Sequence, residues 1–330
     1  MKLVIQIPCL NEEQVLPAVL RELPARIPGI ESIEILVVDD GSSDGTAATA
    51  RACGVHHVVR LGQHKGLARA FSVGVDAALR VGADIIVNTD ADNQYDSQDI
   101  PALIAPILAG EADIVVGARY GAGVESFSSI KRWLQRVGSW VVRHASNTRI
   151  PDATSGFRAY SRDAAMRIVV FSDFTYTLET LIHAGHRGLR ITHTDVRTNP
   201  VLRPSRLFNG VTTYILRSTA TIVRIYAMYQ PFRFFWLLGL ALVLPATALF
   251  IWLLVRADGG WHPRDYVLLA LSCVAGVAGF QALVAGIVAD LIAGNRRLTE
   301  DVLFRLKRLD TSSDVNGRDT HKDAQVLRSS

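Results

Sequence analysis

The chain is 330 residues long, enough to bury a complete α/β core and to carry a further module. Apolar residues make up 49% and charged residues 20%, and a mean hydropathy of +0.22 is high for a wholly water-soluble enzyme. The net charge of +4, without a Lys/Arg block, excludes the basic arm of a nucleic-acid binder, so no nucleic-acid partner is expected.

The three cysteines, Cys9, Cys53 and Cys273, are far apart, lack metal-binding spacing and are odd in number. They argue against a disulfide framework, and Cys9 and Cys53 read as buried thiols of a reducing cytosol. The first residues, "MKLVIQIPCLNEE", are apolar too briefly for a signal peptide and soon turn acidic, so the first domain is expected in the cytosol.

In chain order, "KLVIQIP" predicts a buried strand and "NEEQVLPAVLREL" the helix after it, with Asn11 as N-cap. "IEILVVDDGSSDGTAATARAC" repeats the plan as strand, polar turn and a helix opened by Asp44 or Thr46. "HHVVRLG" is a third strand, "GLARAFSVGVDAALRVG" a helix ended by Gly82, and "ADIIVNTD" a fourth strand. "IPALIAPILAG" and "ADIVVGARY" add a helix and a strand. Strands this continuously apolar, alternating with helices, predict a parallel sheet covered on both faces. Ligands of such sheets bind at the carboxyl ends of the strands. Those ends are "PCLNEE", "DDGSSDGT", "DADNQ" and "GARY", polar in all four cases and expected to converge on one cleft. Further on, "KRWLQRVGSWVVRHASNT" predicts a helix and "DATSGFRAYSR" a loop and short strand. "YTLETLIHAGHRG" predicts a helix ending near Gly185 or Gly188, and "LRITHTDVRT" a strand.

Residues Phe234–Val255 and Val267–Ala289 form runs of 22 and 23 residues without a charge. Each is about the ~20 residues needed to cross a bilayer, and the short loop between them makes a hairpin. The loop's Arg256 and Arg264 are offset by Asp258 and Asp265. Arg217, Arg224 and Arg233 lie on one outer flank, and Arg296, Arg297, Arg305, Lys307 and Arg308 on the other. The positive-inside rule then puts both flanks, the enzyme-like first domain and the C-terminus on the cytoplasmic side of the cytoplasmic membrane. A hairpin buried in a soluble core is the competing reading. The expected domains are 1–203 catalytic, 204–233 interfacial amphipathic helices, 234–294 membrane hairpin, 295–309 an amphipathic basic helix, and 310–330 a disordered polar tail. Packing against the catalytic domain is the alternative for both amphipathic segments.

Within "NTDADNQYD", Asp90 and Asp92 follow a buried strand. An extended chain of period two would direct both to one face, with Gln94 continuing the row. Three such oxygen donors suit a hard cation, Mg²⁺ or Mn²⁺, with substrate phosphates and water completing its shell. Asn88, Asn93 and Asp96 are expected to shape the turn. Asp39 and Asp40, at the end of the second strand, are placed to accept hydrogen bonds from a base or ribose, while Asp44, Thr46, Gly41 and Gly45 build the turn and helix start. Arg119 and Arg132 offer guanidinium groups for phosphate oxygens.

Taken together and in this order, "IPCLNEE", "VVDDGSSDGT", "NTDADNQY", "GARY" and "DATSGFRAY" resemble the family 2 glycosyltransferases, more closely the dolichol-phosphate mannosyltransferase-like group. The resemblance covers roughly residues 1 to 230. It implies an α/β fold of the GT-A, Rossmann-like type with a C-terminal two-helix transmembrane hairpin. It implies a nucleotide diphosphate sugar as donor, of the GDP-mannose or UDP-glucose type, an undecaprenyl-like polyprenyl phosphate as acceptor, and membrane lipids as surroundings, and it leaves homo-oligomerisation open. By matching position, Pro8, Glu12 and Asp40 hold the nucleotide, and Asp90, Asp92 and Gln94 hold metal and diphosphate. Arg119 and Arg132 receive the acceptor phosphate. Arg203, Ser205 and Arg206 of "RPSRL" close over the donor phosphates or touch lipid phosphate. Two positions depart from the pattern and bear on base recognition: His64 stands for a usual Asn, and Leu10 for an aromatic. The competing functions are transfer to a saccharide or membrane-lipid hydroxyl, which needs a base such as Asp152 or Glu179, and a catalytically silent membrane adaptor.

Overall fold

The structure is a computed structural model and describes residues 1–119, 150–170, 176–199, 223–224, 226–227, 230–256 and 262–326. The chain divides into two units, Met1–Leu216 with Val302–Ser330, and Arg217–Asp301.

The first unit is built on a seven-stranded sheet. Its strands are β1 Lys2–Cys9, β2 Ser32–Asp39, β3 His57–Arg60, β4 Ile85–Asn88, β5 Ile114–Arg119, β6 Arg158–Ser161 and β7 Ile191–Val196, in the order β3-β2-β1-β4-β6-β5-β7. Its helices are α1 Leu16–Glu22, α2 Thr46–Ala52, α3 Leu67–Arg80, α4 Ile100–Leu108, α5 Arg162–Arg167 and α6 Thr177–His186. Alternate residues of each strand face opposite cores. Leu3, Ile5 and Ile7 join one cluster with Leu16, Leu103 and Ile104, while Val4 joins another with Phe71, Tyr160 and Tyr176. Covering on both faces explains why the strands read as nearly unbroken apolar runs.

The expectation of an all-parallel sheet needs correction. Strand β6 runs antiparallel to both of its neighbours, with Asn88 and Val116 each opposite Arg158. The physical reason is the path of the chain. Gly156 and Phe157 precede β6 at the carboxyl edge of β4, so the strand enters the sheet there and runs back. That reversal delivers the loop of residues 150–157 to the edge where the parallel strands end.

Helix α1 starts later than expected. Asn11 has φ +56 and caps nothing in α1, because residues Glu12–Val15 intervene as a turn before Leu16. At α2 the N-cap position is Gly45, and the Asp44 Oδ1 atom accepts from the Thr46 N–H at 3.0 Å and from the Thr46 hydroxyl.

In the second unit, α7 spans Pro231–Arg256, and α8 begins at Pro263 and runs to Val326. Both are long and apolar enough to cross a membrane, and little of either is buried. The 26 residues of α7 measure about 39 Å at the α-helical rise. Small residues let the two backbones approach. A Cβ on Gly239 would lie 2.9 Å from the Gly279 carbonyl oxygen, and one on Gly279 would lie 2.7 Å from Val243.

The expected basic helix of 295–309 is not a separate element but a continuation of α8, and the helix goes on through the residues expected to be a disordered tail. Within the first unit, Phe304 packs against the core cluster of Phe71 and Tyr160 under the Arg167 guanidinium at 4.4 Å, and Lys307 Nζ reaches Asp76 at 2.7 Å. Most of the segment 204–233 lies outside the described residues.

Candidate active site

Two loops at the carboxyl ends of β1 and β2 clasp each other. The Asn11 N–H donates to Ser42 Oγ at 2.9 Å, Asn11 Oδ1 accepts from the Ser43 N–H at 2.9 Å, and the Glu12 N–H donates to Thr46 Oγ1 at 2.9 Å. Glu13 accepts from the Gly45 N–H at 3.0 Å. Every contact joins the acidic turn after β2 to the start of the chain, so Pro8, Glu12 and the turn stand together. Asp39 and Asp40 are buried at this edge, with different tasks. Asp39 accepts from the Ser42 N–H at 2.8 Å and pairs with Arg60 Nε at 3.3 Å, which closes the turn. Asp40 accepts from the Lys65 and Gly66 N–H groups, each at 2.9 Å, and His64 Nδ1 lies 2.8 Å from its carboxylate.

The second cluster grows from β4. Asn88 is fully buried: it accepts from Gln6 Nε2 at 2.8 Å and donates to the Gly156 carbonyl at 2.8 Å and to Tyr176 Oη at 2.9 Å. Asn88 therefore ties β1, the loop before β6 and α6 together beneath Asp90. The chain does not stay extended after Asp90. Ala91 and Asp92 form a turn, Asn93 takes φ +59, and Asp92 Oδ1 accepts from the Gln94 N–H at 3.1 Å. The period-two argument for Asp90, Asp92 and Gln94 on one face fails for this reason, since an Asx-type turn replaces the strand geometry. Asp90 and Asp92 stay close enough to interact electrostatically, and the Gln94 carbonyl accepts from the Asn199 N–H at 2.9 Å. Burial, reinforced by the Asp92 charge and opposed by Arg119 and Arg158, pushes the Asp90 pKa up to about 7. Tyr95 beside it is pushed up to about 12, by burial first and then by Asp90.

Arg119, at the end of β5, forks onto Asp152. Its Nε and Nη2 atoms donate to the two carboxylate oxygens at 2.7 and 3.0 Å, and Nη2 also donates to Thr154 Oγ1 at 2.9 Å. Burial raises the Asp152 pKa, but the hydrogen bonds and charge of Arg119, with Thr154, outweigh it and hold the carboxyl below its ordinary range.

Sequence reasoning missed Arg158. It is fully buried, and its guanidinium donates to the carbonyls of Ser155, Thr177 and Ala153 at 2.8, 2.7 and 2.7 Å and to Thr180 Oγ1 at 2.8 Å. It fastens the loop of Asp152 and Gly156 to the start of α6. The signal was a charged residue at the head of an otherwise apolar strand, "FRAY". Arg132, Arg203, Ser205 and Arg206 lie outside the described residues.

A family model described as "Glycosyl transferase family 2" matches residues 4–169, half of the chain. The chain belongs to glycosyl transferase family 2. It is accordingly a glycosyltransferase, and the mixed sheet is the GT-A core of that family. It is 32% identical over 173 residues to the polyprenol monophosphomannose synthase of Mycolicibacterium smegmatis, covering 49% of this chain and 62% of that protein. The chain thus spans less than two thirds of that relative. It is 31% identical over 174 residues to the undecaprenyl-phosphate mannosyltransferase of Micrococcus luteus, covering 51% of this chain and 70% of that protein. Among solved structures, glucosyl-3-phosphoglycerate synthase from Mycobacterium tuberculosis, in complex with Mn²⁺, UDP-glucose and phosphoglyceric acid, superposes with a TM-score of 0.53. At 21% identity over 67% of this chain and 79% of that one, the likeness is one of fold.

Proposed function

We propose that this glycosyltransferase moves one hexose from a nucleotide diphosphate sugar to a polyprenyl phosphate at the cytoplasmic leaflet. The observation that carries the reading is the Arg119–Asp152 fork. A hydroxyl acceptor must lose a proton in the transition state, and Asp152, the natural base candidate, is held ionised by Arg119 with its pKa lowered. The other candidate, Glu179, is fully buried in α6. A phosphate acceptor is already ionised near neutral pH and asks for no such base. The two mannosyltransferase relatives named for polyprenol and undecaprenyl phosphate support the same acceptor. So do two helices able to cross a membrane, since anchoring would raise the local concentration of a lipid-borne substrate.

In the transfer, an oxygen of the lipid phosphate attacks the anomeric carbon, the bond from that carbon to the nucleotide diphosphate breaks, and the diphosphate leaves with the electron pair. Pro8, Glu12, Asp39 and Asp40 would frame the nucleotide. Arg119, and with it Arg132, would meet the acceptor phosphate, while Arg203 and Ser205 would approach the donor phosphates.

The carboxylates fit a hard divalent cation. Asp90 and Asp92 disfavour each other's charge, and no group of three or more His, Cys, Asp or Glu gathers among the described residues. Two carboxylates completed by substrate phosphates is the usual arrangement for Mg²⁺, and Mn²⁺ takes the same oxygen donors. Asp90 and Asp92 would hold the ion, with Gln94 beside them. When bound, it would neutralise the departing diphosphate. The chain's own contribution is to hold attacker and carbon in line and to present arginines to the phosphates.

Asp92→Ala should abolish transfer, with circular dichroism and melting unchanged. Membranes are incubated with radiolabelled nucleotide sugars and undecaprenyl phosphate, and the label entering the organic phase names the sugar. Undiminished turnover by the variant, or label that never partitions into lipid, would sink the assignment.

A further inference from the structure

The turn that carries Asp92 and Gln94 is held from behind by a segment from the far end of the sheet. Directly after β7, residues 197–199 lie antiparallel to residues 94–96, joined by a bridge between Tyr95 and Thr198. The Asn199 N–H donates to the Gln94 carbonyl at 2.9 Å, and the Asp96 N–H donates to the Arg197 carbonyl at 3.2 Å. Asn199 Nδ2 adds a bond to the Asn93 carbonyl at 3.1 Å.

Arg197 closes this pairing with its side chain. Its backbone N–H donates to Asp99 Oδ2 at 2.6 Å, and its Nε and Nη2 atoms donate to Asp99 Oδ1 at 3.0 and 2.7 Å. The same Nη2 lies 3.0 Å from Asp96 Oδ2. Two carboxylate oxygens that share one nitrogen are less than about 6 Å apart, close enough to repel strongly once it is gone. Both carboxylates also sit at backbone junctions. Asp96 Oδ1 accepts from the Gln98 N–H at 2.9 Å, opening the short turn Ser97–Asp99, and Asp99 stands at the N-cap position of α4.

The Arg197 side chain is 67% exposed, and ion pairs this open contribute little to global stability. The local effect is larger. Without the guanidinium, Asp96 and Asp99 would push apart only four residues beyond Asp92, and spreading the turn relieves them. We infer that Arg197 is a positioning residue for the divalent-cation site: by holding Asp96 and Asp99 together, it fixes the turn that aims Asp92. The inference rests on the reading of Asp90 and Asp92 as the ligands of the ion. Arg197 acts through the backbone of residues 93–96, as outer partners of metal ligands do.

The test is titration of the full-length, detergent-solubilised protein with Mn²⁺ alone, the free ion being read by electron paramagnetic resonance. Loss of an outer partner typically weakens a metal site about 10–100-fold, and an indirect partner belongs at the lower end. Arg197→Met should therefore bind Mn²⁺ about tenfold more weakly, with a melting temperature close to that of the wild type. Adding Asp96→Asn and Asp99→Asn to Arg197→Met keeps an acceptor oxygen at each position and removes the repulsion. That triple variant should return to within about threefold of wild-type affinity. Unchanged Mn²⁺ affinity in Arg197→Met overturns the inference, and so does a triple variant that binds as weakly as Arg197→Met. A melting temperature lowered by more than about 5 °C in Arg197→Met also overturns it, because the pair then supports the fold rather than the turn. Asp92→Ala separates the two levels of the argument. If that variant binds Mn²⁺ like the wild type, or the wild type binds none, the reading of the ligands falls and the inference with it. If Asp92→Ala loses the ion while Arg197→Met keeps it, the inference alone falls.

Discussion

Gly156→Ala is the sharpest perturbation of the Asp90 site. The φ of Gly156 lies outside the left-handed region, so only space is at issue. A methyl carbon there would lie 2.8 and 2.9 Å from the two Asp90 carboxylate oxygens and 2.9 Å from Tyr176 Oη. The nearest contact is about 0.6 Å short of the 3.4 Å at which ordinary contact begins. Tyr176 cannot yield, since it stacks on Phe71 with ring centroids 4.0 Å apart and accepts from Asn88. Asp90 must therefore shift by about half an ångström. Overpacking of this kind costs about 1–3 kcal/mol, a fall in Tm of about 2–12 °C for a domain of this size. Misplacing a reacting group by about 1 Å can cost about 100-fold, so half that shift should lower kcat about tenfold or more. The assay pairs differential scanning fluorimetry with transfer of radiolabelled sugar into the organic phase. Wild-type turnover in Gly156→Ala would refute the claim that Asp90 is held in place by the absence of a side chain at 156.

Two further outcomes follow from the same geometry. Arg158→Met keeps the bulk but removes the donor to the carbonyls of Ala153, Ser155 and Thr177 and to the Thr180 hydroxyl, leaving those last two only their bond to each other. Hydrogen bonds to a charged group contribute about 1.5–3 kcal/mol each, so a loss of at least about 3 kcal/mol is expected, read as a Tm fall of about 6 °C or more. The Arg119–Asp152 pair should add an acid-labile contribution. The folded Asp152 pKa is depressed, so the stabilisation is fully present above the ordinary carboxylate value of about 3.9 and is lost as pH falls through the lower folded value. Measured from pH 7 downward, the stability gap between wild type and Asp152→Asn should hold steady to about pH 5 and then shrink. A gap that widens on acidification would contradict the assignment of charge.

The order of elements from β1 to β5 is legible in the residues because each alternates a doubly buried apolar strand with an amphipathic helix, and that pattern survives any tertiary context. The orientation of β6 is not. "FRAYS" would pair equally well in either direction, and only the position of the preceding loop, already at the carboxyl edge, forces the strand to run back. The same limit explains the site. Asp90, Asp92 and Arg119 stand out as polar groups ending apolar strands. The turn at Asp92, by contrast, depends on the Gln94 N–H donating to the Asp92 carboxylate, which composition does not reveal.

Arg158 stayed hidden because an arginine in a strand usually faces water, and its burial is tolerable only where three carbonyls and a hydroxyl converge from two separate segments. His64 shows the same division. The sequence by itself determined that a histidine follows the third strand. Only the tertiary structure decided that it meets Asp40, because the contact depends on Gly41 having no side chain where the 63–64 backbone crosses it. Local patterns of apolarity and turn chemistry settle what each segment becomes. Which side chains meet across segments is set by how the sheet edge brings its loops together.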